Sequence, residues 1–271
     1  MKKKKKKKEL KPWMHIVALF IGVFLVAYLI SFMLDSNTSF KTKFKIEDRT
    51  KEIENYQKSK SNVTTNGWLR VQGTNIDYPV LYDKEFEVLQ NEIDDFVWVL
   101  ENPKELLPRT VIFGHNIKNV SNNPFITNET HSRFEQLMSF IYYDFAKENQ
   151  FIQYTKDGKD YLYQIFSVTL IDDHELLRSG NLEKDVYSDY IKQAKENSFF
   201  EYDIEVDEND KIITLVTCTR FFYPNTTYKF KIEGKLLTDE EKLDIVDVKE
   251  KENYKEIKGS LKGGEVDEEQ A

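Results

Sequence analysis

Residues 13–34, WMHIVALFIGVFLVAYLISFML, contain no Asp, Glu, Lys or Arg. At a helical rise of about 1.5 Å per residue, such a run is long enough to cross the hydrocarbon core of a bilayer. His15 and Ser31 fall near its two ends, where polar groups cost less. Residues 1–12 carry eight lysines and one glutamate. Basic flanks stay on the cytoplasmic side, so everything after Asp35 is expected outside the cell, on a single-pass anchor in the cell membrane. A cleaved signal peptide is the competing reading. Its apolar core would be shorter, and SFMLDSNTSF offers no small-x-small cleavage site.

The anchor divides the chain. After the leader (1–12) and the span (13–34) comes a polar, charged stalk (35–61) with helical spacing late in the run. A body of roughly 180 residues (62–237), suited to one domain, follows. Residues 238–271 hold twelve acids and six lysines, which reads as a largely disordered tail. The formal net charge of −8 conceals a more acidic remainder once the leader is set aside, a balance that does not suggest nucleic-acid binding. An apolar content of 40% is enough for a sizeable core.

Within the body, short apolar runs are separated by turn signals. GWLRVQGTNIDYPVLY breaks at Gly73-Thr74-Asn75, and RTVIFGHN is a buried-strand run. FIQYTKDGKDYLYQIFSVTLI reads as a hairpin about Asp157-Gly158. EYDIEVDENDKIITLVTCT reads as another, turning near Glu208-Asn209-Asp210, and YKFKIEGKLL alternates as a final strand. Two stretches, 132–149 and 183–200, carry apolar residues at helical spacings of three and four. Many strands with a few helices predict a barrel or sandwich rather than a parallel α/β sheet.

One cysteine, Cys218, closes the strand-like run ITLVTC. Alone it makes no internal disulfide, and an isolated cysteine is more often a small hydrophobe than a nucleophile. Cysteine chemistry needs a thiolate, which an adjacent imidazolium stabilises, and the same imidazole can protonate a leaving amine. His115, His131 and His174 lie outside the span. His115 ends an apolar strand, where a barrel presents side chains at its rim; the other two have the surroundings of surface positions. Spacing alone does not bring Cys218 and His115 together. The acid pairs Asp94-Asp95 and Asp172-Asp173 read as solvated loops, and the glycosylation-type triplet Asn128-Glu129-Thr130 carries little meaning. No metal or cofactor is expected.

TLVTC, at 214–218, resembles the TLxTC signature of sortases, membrane-anchored cysteine transpeptidases of Gram-positive bacteria. FGHN resembles their strand-end histidine. GWLRVQGTNIDYPVLY resembles their early W-I-x-I-x-x-T-x-I-x-Y-P-V segment, and YQIFSV with the helix-bearing insertion before TLVTC resembles class B. The resemblance covers about 62–237 and implies an eight-stranded β-barrel. It further implies that Cys218 attacks a threonine carbonyl in a substrate's C-terminal sorting signal. His115 would protonate the departing amine, and an amine from a peptidoglycan cross-bridge or a pilin lysine would resolve the thioester. Thr217 would help orient substrate or oxyanion, its ordinary role being strand packing. The partners implied are sorting-signal-bearing surface or pilin proteins. No aspartate-aromatic lid segment of the class C kind is evident.

The sequence departs from the family at one position. The arginine usual on the last strand is replaced by Lys229, a point charge where the family has a rigid fork of donors. Three accounts stay open: Lys229 substitutes, Arg220 reaches in from the loop after Cys218, or activity is reduced. Lys229, Lys231 and Glu233 alternate onto one polar face, the pattern of a solvent-facing strand. A sortase-fold module that only binds, or a cysteine peptidase whose acyl-enzyme is released to water, are the rival functions.

Overall fold

The computed structural model describes residues 22, 44–60, 63–82, 97–117, 119–124, 134–172, 177, 179–222, 228–238 and 244–261. The expected span 13–34 lies outside the described residues apart from Gly22. Among those described, no helix is long and apolar enough to cross a membrane. His131, His174, Asp94, Asp95 and the Asn128 triplet also lie outside them.

The barrel is built from β1 (Thr64–Val71), β2 (Asp77–Tyr82), β3 (Val97–Trp98), β4 (Arg109–Gly114), β5 (Phe151–Lys156), β6 (Lys159–Asp172), β8 (Ile212–Thr219) and β9 (Tyr228–Leu236). These eight strands close in the order β1-β2-β3-β4-β8-β9-β6-β5. Most neighbours are antiparallel, but β2 with β3 and β4 with β8 are parallel. Alternate residues point inward, and Leu69, Val71, Ile152, Tyr154, Ile213, Leu215, Phe230 and Ile232 join one buried core. The β5–β6 turn is the expected two-residue hairpin. Asp157 and Gly158 both take positive φ (50° and 72°), the pairing a tight primed turn requires.

The predicted hairpin over 201–219 does not form. Its first arm, β7 (Phe200–Tyr202), pairs instead with β10 (Val248–Glu250) in a separate two-stranded sheet. Its second arm becomes β8, between β4 and β9. The helical stretch at 132–149 resolves into a 3₁₀ helix, Glu135–Ile141, with all seven residues buried, and a short α2, Tyr143–Glu148. Full enclosure removes the polar face that an amphipathic helix would need. The stretch at 183–200 forms α3, Lys184–Asn197, whose Tyr187, Ile191 and Ala194 are buried. They pack with Phe166 and Ile212 against the outside of the barrel.

The chain beyond 237 also departs from expectation. Residues 244–261 form β10 and a final helix α4, Tyr254–Ser260, with Val248, Tyr254 and Ile257 buried. The acidic composition masks these few apolar positions, which together suffice to dock the segment.

Before the barrel, α1 (Thr50–Ser59) follows a segment fixed to β1, β2 and β5. Gln153 on β5 exchanges two hydrogen bonds with the Glu47 main chain, at 2.7 and 3.1 Å. Arg49 donates to both Asp77 carboxylate oxygens at 2.7 and 3.1 Å. Burial opposes ionisation of Asp77, but hydrogen bonds from Arg49 and Trp68 and the charges of Arg49 and Arg70 outweigh it and hold its carboxyl below the ordinary range. A depressed carboxyl pKa contributes stability above its unfolded value, near 4, and loses it as pH falls through the folded value. Asp77 and Glu47 are 39% and 40% exposed, so solvent screening limits the effect. Asp77→Asn should cost about 1–2 kcal/mol at neutral pH. Urea unfolding should show the gap from wild type closing as pH drops below about 4; a constant gap would mean Asp77 acts only by packing.

Candidate active site

The parallel register of β4 and β8 pairs Phe113 with Val216. Two residues further on lie His115, just past the end of β4, and Cys218 on β8. Because side chains alternate with a period of two, both belong to the face that carries Phe113 and Val216, the outside of the barrel. Cys218 is exposed at this end, although the six residues before it in β8 are buried.

Three hydrogen bonds lace the end of β8 to the end of β4 and the turn that follows it. The Thr217 hydroxyl donates to the Gly114 carbonyl at 2.7 Å. The Thr219 hydroxyl and the Arg220 main-chain N–H both donate to the Val120 carbonyl, at 3.2 and 2.9 Å. Thr217 itself is 2% exposed, so its hydroxyl serves this lacing, one residue from His115 on one side and from Cys218 on the other. The ring of Trp98, on β3, lies 4.8 Å from the imidazole of His115 at a 45° tilt and stacks on Phe113 at 6.0 Å. Gly114 is required: a Cβ there would overlap the Phe134 ring.

Lys229 is the direct cross-strand partner of Cys218 on β9. Opposed residues in an antiparallel pair have Cβ atoms about 4.5–5.5 Å apart on one face. Arg220 is exposed, two residues past Cys218. The register thus sets Lys229 beside the thiol.

The polar alternation on β9 is not a solvent face. Lys231 is 4% exposed and Glu233 fully buried, and they pair at 3.3 Å. Helix α3 covers them. The Tyr190 hydroxyl donates to Glu233, and the Arg109 guanidinium lies 4.0 Å above the Tyr190 ring. Charges buried this deeply need partners, and β4, α3 and β9 supply them to one another. On the same face, Val111, Ile171, Leu177 and Val216 pack into a small buried apolar cluster, with the half-buried Phe113 against it. Ser179 accepts the Val111 N–H, and the Gly180 N–H donates to the Arg109 carbonyl, which fixes the start of the helix-bearing insertion along β4. Among the described residues, no group of three His, Cys, Asp or Glu side chains could hold a metal ion.

Trp98 and the residues that brace the turn after His115 carry no local signature in the sequence. Trp98 lies in an ordinary apolar run, FVWVL, and its contact depends on how β3 meets β4.

A rim cysteine, a histidine just past the neighbouring strand and a lysine across from the thiol thus share one end of a closed eight-stranded barrel. The Sortase domain family matches residues 69–237, and the chain belongs to the sortase family of cysteine transpeptidases. Within it the chain is sortase B-like. Sortase B of Listeria monocytogenes is 28% identical over 198 residues, covering 69% of this chain and 74% of that protein. A mutant form of Clostridium perfringens sortase B has the same fold, with a TM-score of 0.58 at 24% identity over 69% of this chain and 87% of that one. The Staphylococcus aureus sortase B–substrate complex has a TM-score of 0.57 at 21% identity, covering 76% and 91%.

Proposed function

We propose that the chain is a class B transpeptidase on the outer face of the cell membrane, held by residues 13–34, in which Cys218 is the nucleophile and His115 the general acid and base. The observation that carries this reading is the strand register, which brings both residues to one end and one face of the barrel. The Cys218 sulfur attacks the carbonyl carbon of a threonine in a C-terminal sorting signal. The resulting oxyanion collapses to a thioester as His115 gives a proton to the departing amine. An incoming amine then attacks the thioester, His115 takes its proton, and the Cys218 thiolate leaves.

Lys229, opposite Cys218 in the ladder, stabilises the oxyanion. The exposed Arg220 is less suited, since its main chain is tied to Val120 and β9, not the loop, faces the thiol. The acceptor is a peptidoglycan cross-bridge amine or a pilin lysine. A solved sortase B complexed with triglycine supports a short glycine peptide as the first acceptor to try.

Intact-mass spectrometry of the detergent-solubilised full chain with a panel of sorting-signal peptides tests this reading. The expected result is an acyl adduct on Cys218 that triglycine discharges into a new peptide product. Discharge by water at the same rate, with no triglycine product, would make the protein a peptidase. An adduct with none of the peptides, and normal Cys218 alkylation, would favour a binding module.

A further inference from the structure

Glu135 is 1% exposed, an expensive place for a carboxylate unless it does something a smaller or apolar residue cannot. It opens the 3₁₀ helix, and that helix sits directly behind the turn leaving β4. The His115 carbonyl accepts the Phe134 N–H at 3.2 Å. The Ile117 N–H donates to Glu135 Oε1 at 3.3 Å. The Asn119 side-chain amide donates to the Glu135 carbonyl at 2.8 Å. Alternate residues of the turn, 115, 117 and 119, are therefore all tied to two residues, 134 and 135. The turn is also closed on itself. The Asn119 N–H donates to Asn116 Oδ1, and Asn116 Nδ2 donates to the Asn119 carbonyl, both at 3.0 Å.

We infer that Glu135 is a positioning residue for His115: its buried carboxylate braces the turn so that the imidazole stays beside Cys218. This rests on the reading of His115 as the acid and base. The lacing from Thr217, Thr219 and Arg220 holds the same turn from the β8 side, so Glu135 completes a clamp with the turn between its jaws. A carbonyl oxygen is what the Ile117 N–H requires, so a glutamine at 135 preserves the brace and an alanine removes it. Among the described residues, the charged and titratable groups at this end are Cys218 and Arg220 from β8 and its following loop, Lys229 from β9 and Glu135 from the 3₁₀ helix.

The test compares Glu135→Ala, Glu135→Gln and His115→Ala in the full chain, with thermal melts to show that each is folded. Glu135→Ala should lower kcat for transpeptidation about ten- to a hundred-fold, with KM for the peptide within about twofold. The pH profile of Cys218 alkylation should lose the inflection that His115→Ala abolishes, and Glu135→Gln should restore both rate and profile. A merely structural brace would lower the melting temperature and leave the profile of the folded fraction unchanged, which would overturn the inference. So would an alanine variant as active as the glutamine one. If His115→Ala itself leaves the alkylation profile unchanged, the acid–base reading falls first, and that outcome is separate from the others. Should Glu135→Ala not fold, Glu135→Met, which keeps the length of the side chain and removes its oxygens, carries the same comparison.

Discussion

Cys218→Ala is expected to abolish thioester formation and lower transpeptidation by about 10⁴-fold or more, because the sequence has no other cysteine to supply a thiol. His115→Ala should cost about 10²–10⁴-fold, the range for removing a positioned general acid. Lys229 offers the sharper comparison. It stands opposite Cys218 in the β8–β9 ladder, the position from which the proposed mechanism has it meet the oxyanion. Lys229→Ala should then cost about 10²-fold or more, the scale of one lost oxyanion donor. Lys229→Arg should keep or raise activity, since a planar fork supplies two directed donors in place of one mobile charge. Arg220→Ala should stay within about threefold, being exposed and not paired across from the thiol. Initial rates with saturating peptide and triglycine decide the matter. A Lys229→Ala enzyme as active as wild type, beside a crippled Arg220→Ala, would transfer the role to Arg220.

The parts of this molecule that sequence makes legible are those fixed by local chemistry. Asp157-Gly158 announces its turn because both residues tolerate positive φ. Helix α3 announces itself because Tyr187, Ile191 and Ala194 recur at a helical period on an otherwise polar segment. Cys218 and His115 stand in recognisable motifs, while their placement at one end of the barrel follows only from the parallel pairing of β4 with β8. What local pattern misses is coverage by a distant element. Lys231 and Glu233 alternate as a wet strand face would, yet α3 lies over them and Tyr190 and Arg109 complete their contacts. The run at β7 alternates as half of a hairpin, yet its partner is β10. Glu135 falls in a helical pattern where a charged residue would face solvent, and the turn after β4 closes over it.

Deleting residues 244–271 should leave a chain that does not fold stably, although the matched family domain ends at 237. Tyr254 stacks edge-on against Phe200 at 4.7 Å, and its hydroxyl donates to the Ile141 carbonyl at 2.8 Å. The fully buried Gln150 accepts the Val246 N–H at 2.8 Å and donates to the Val246 carbonyl at 2.9 Å. The buried Gln164 donates to the Asp244 carbonyl at 3.0 Å. Removing the segment strips cover from Phe199 and Phe200 and leaves two core glutamines with bonds unmade. Each orphaned buried polar group costs about 1–3 kcal/mol, and each lost apolar side chain about 1.5–3 kcal/mol. With Val248, Tyr254 and Ile257 all buried, the loss reaches the whole of a typical domain's margin of about 5–15 kcal/mol. Tyr254→Ala isolates the largest single contact and should cost about 3–5 kcal/mol, a fall of roughly 10 °C or more in Tm. Thermal melts of the two variants check this. A deletion variant that melts cooperatively within a few degrees of the full chain would show that the barrel stands without its C-terminal strap, and that β7 finds another partner.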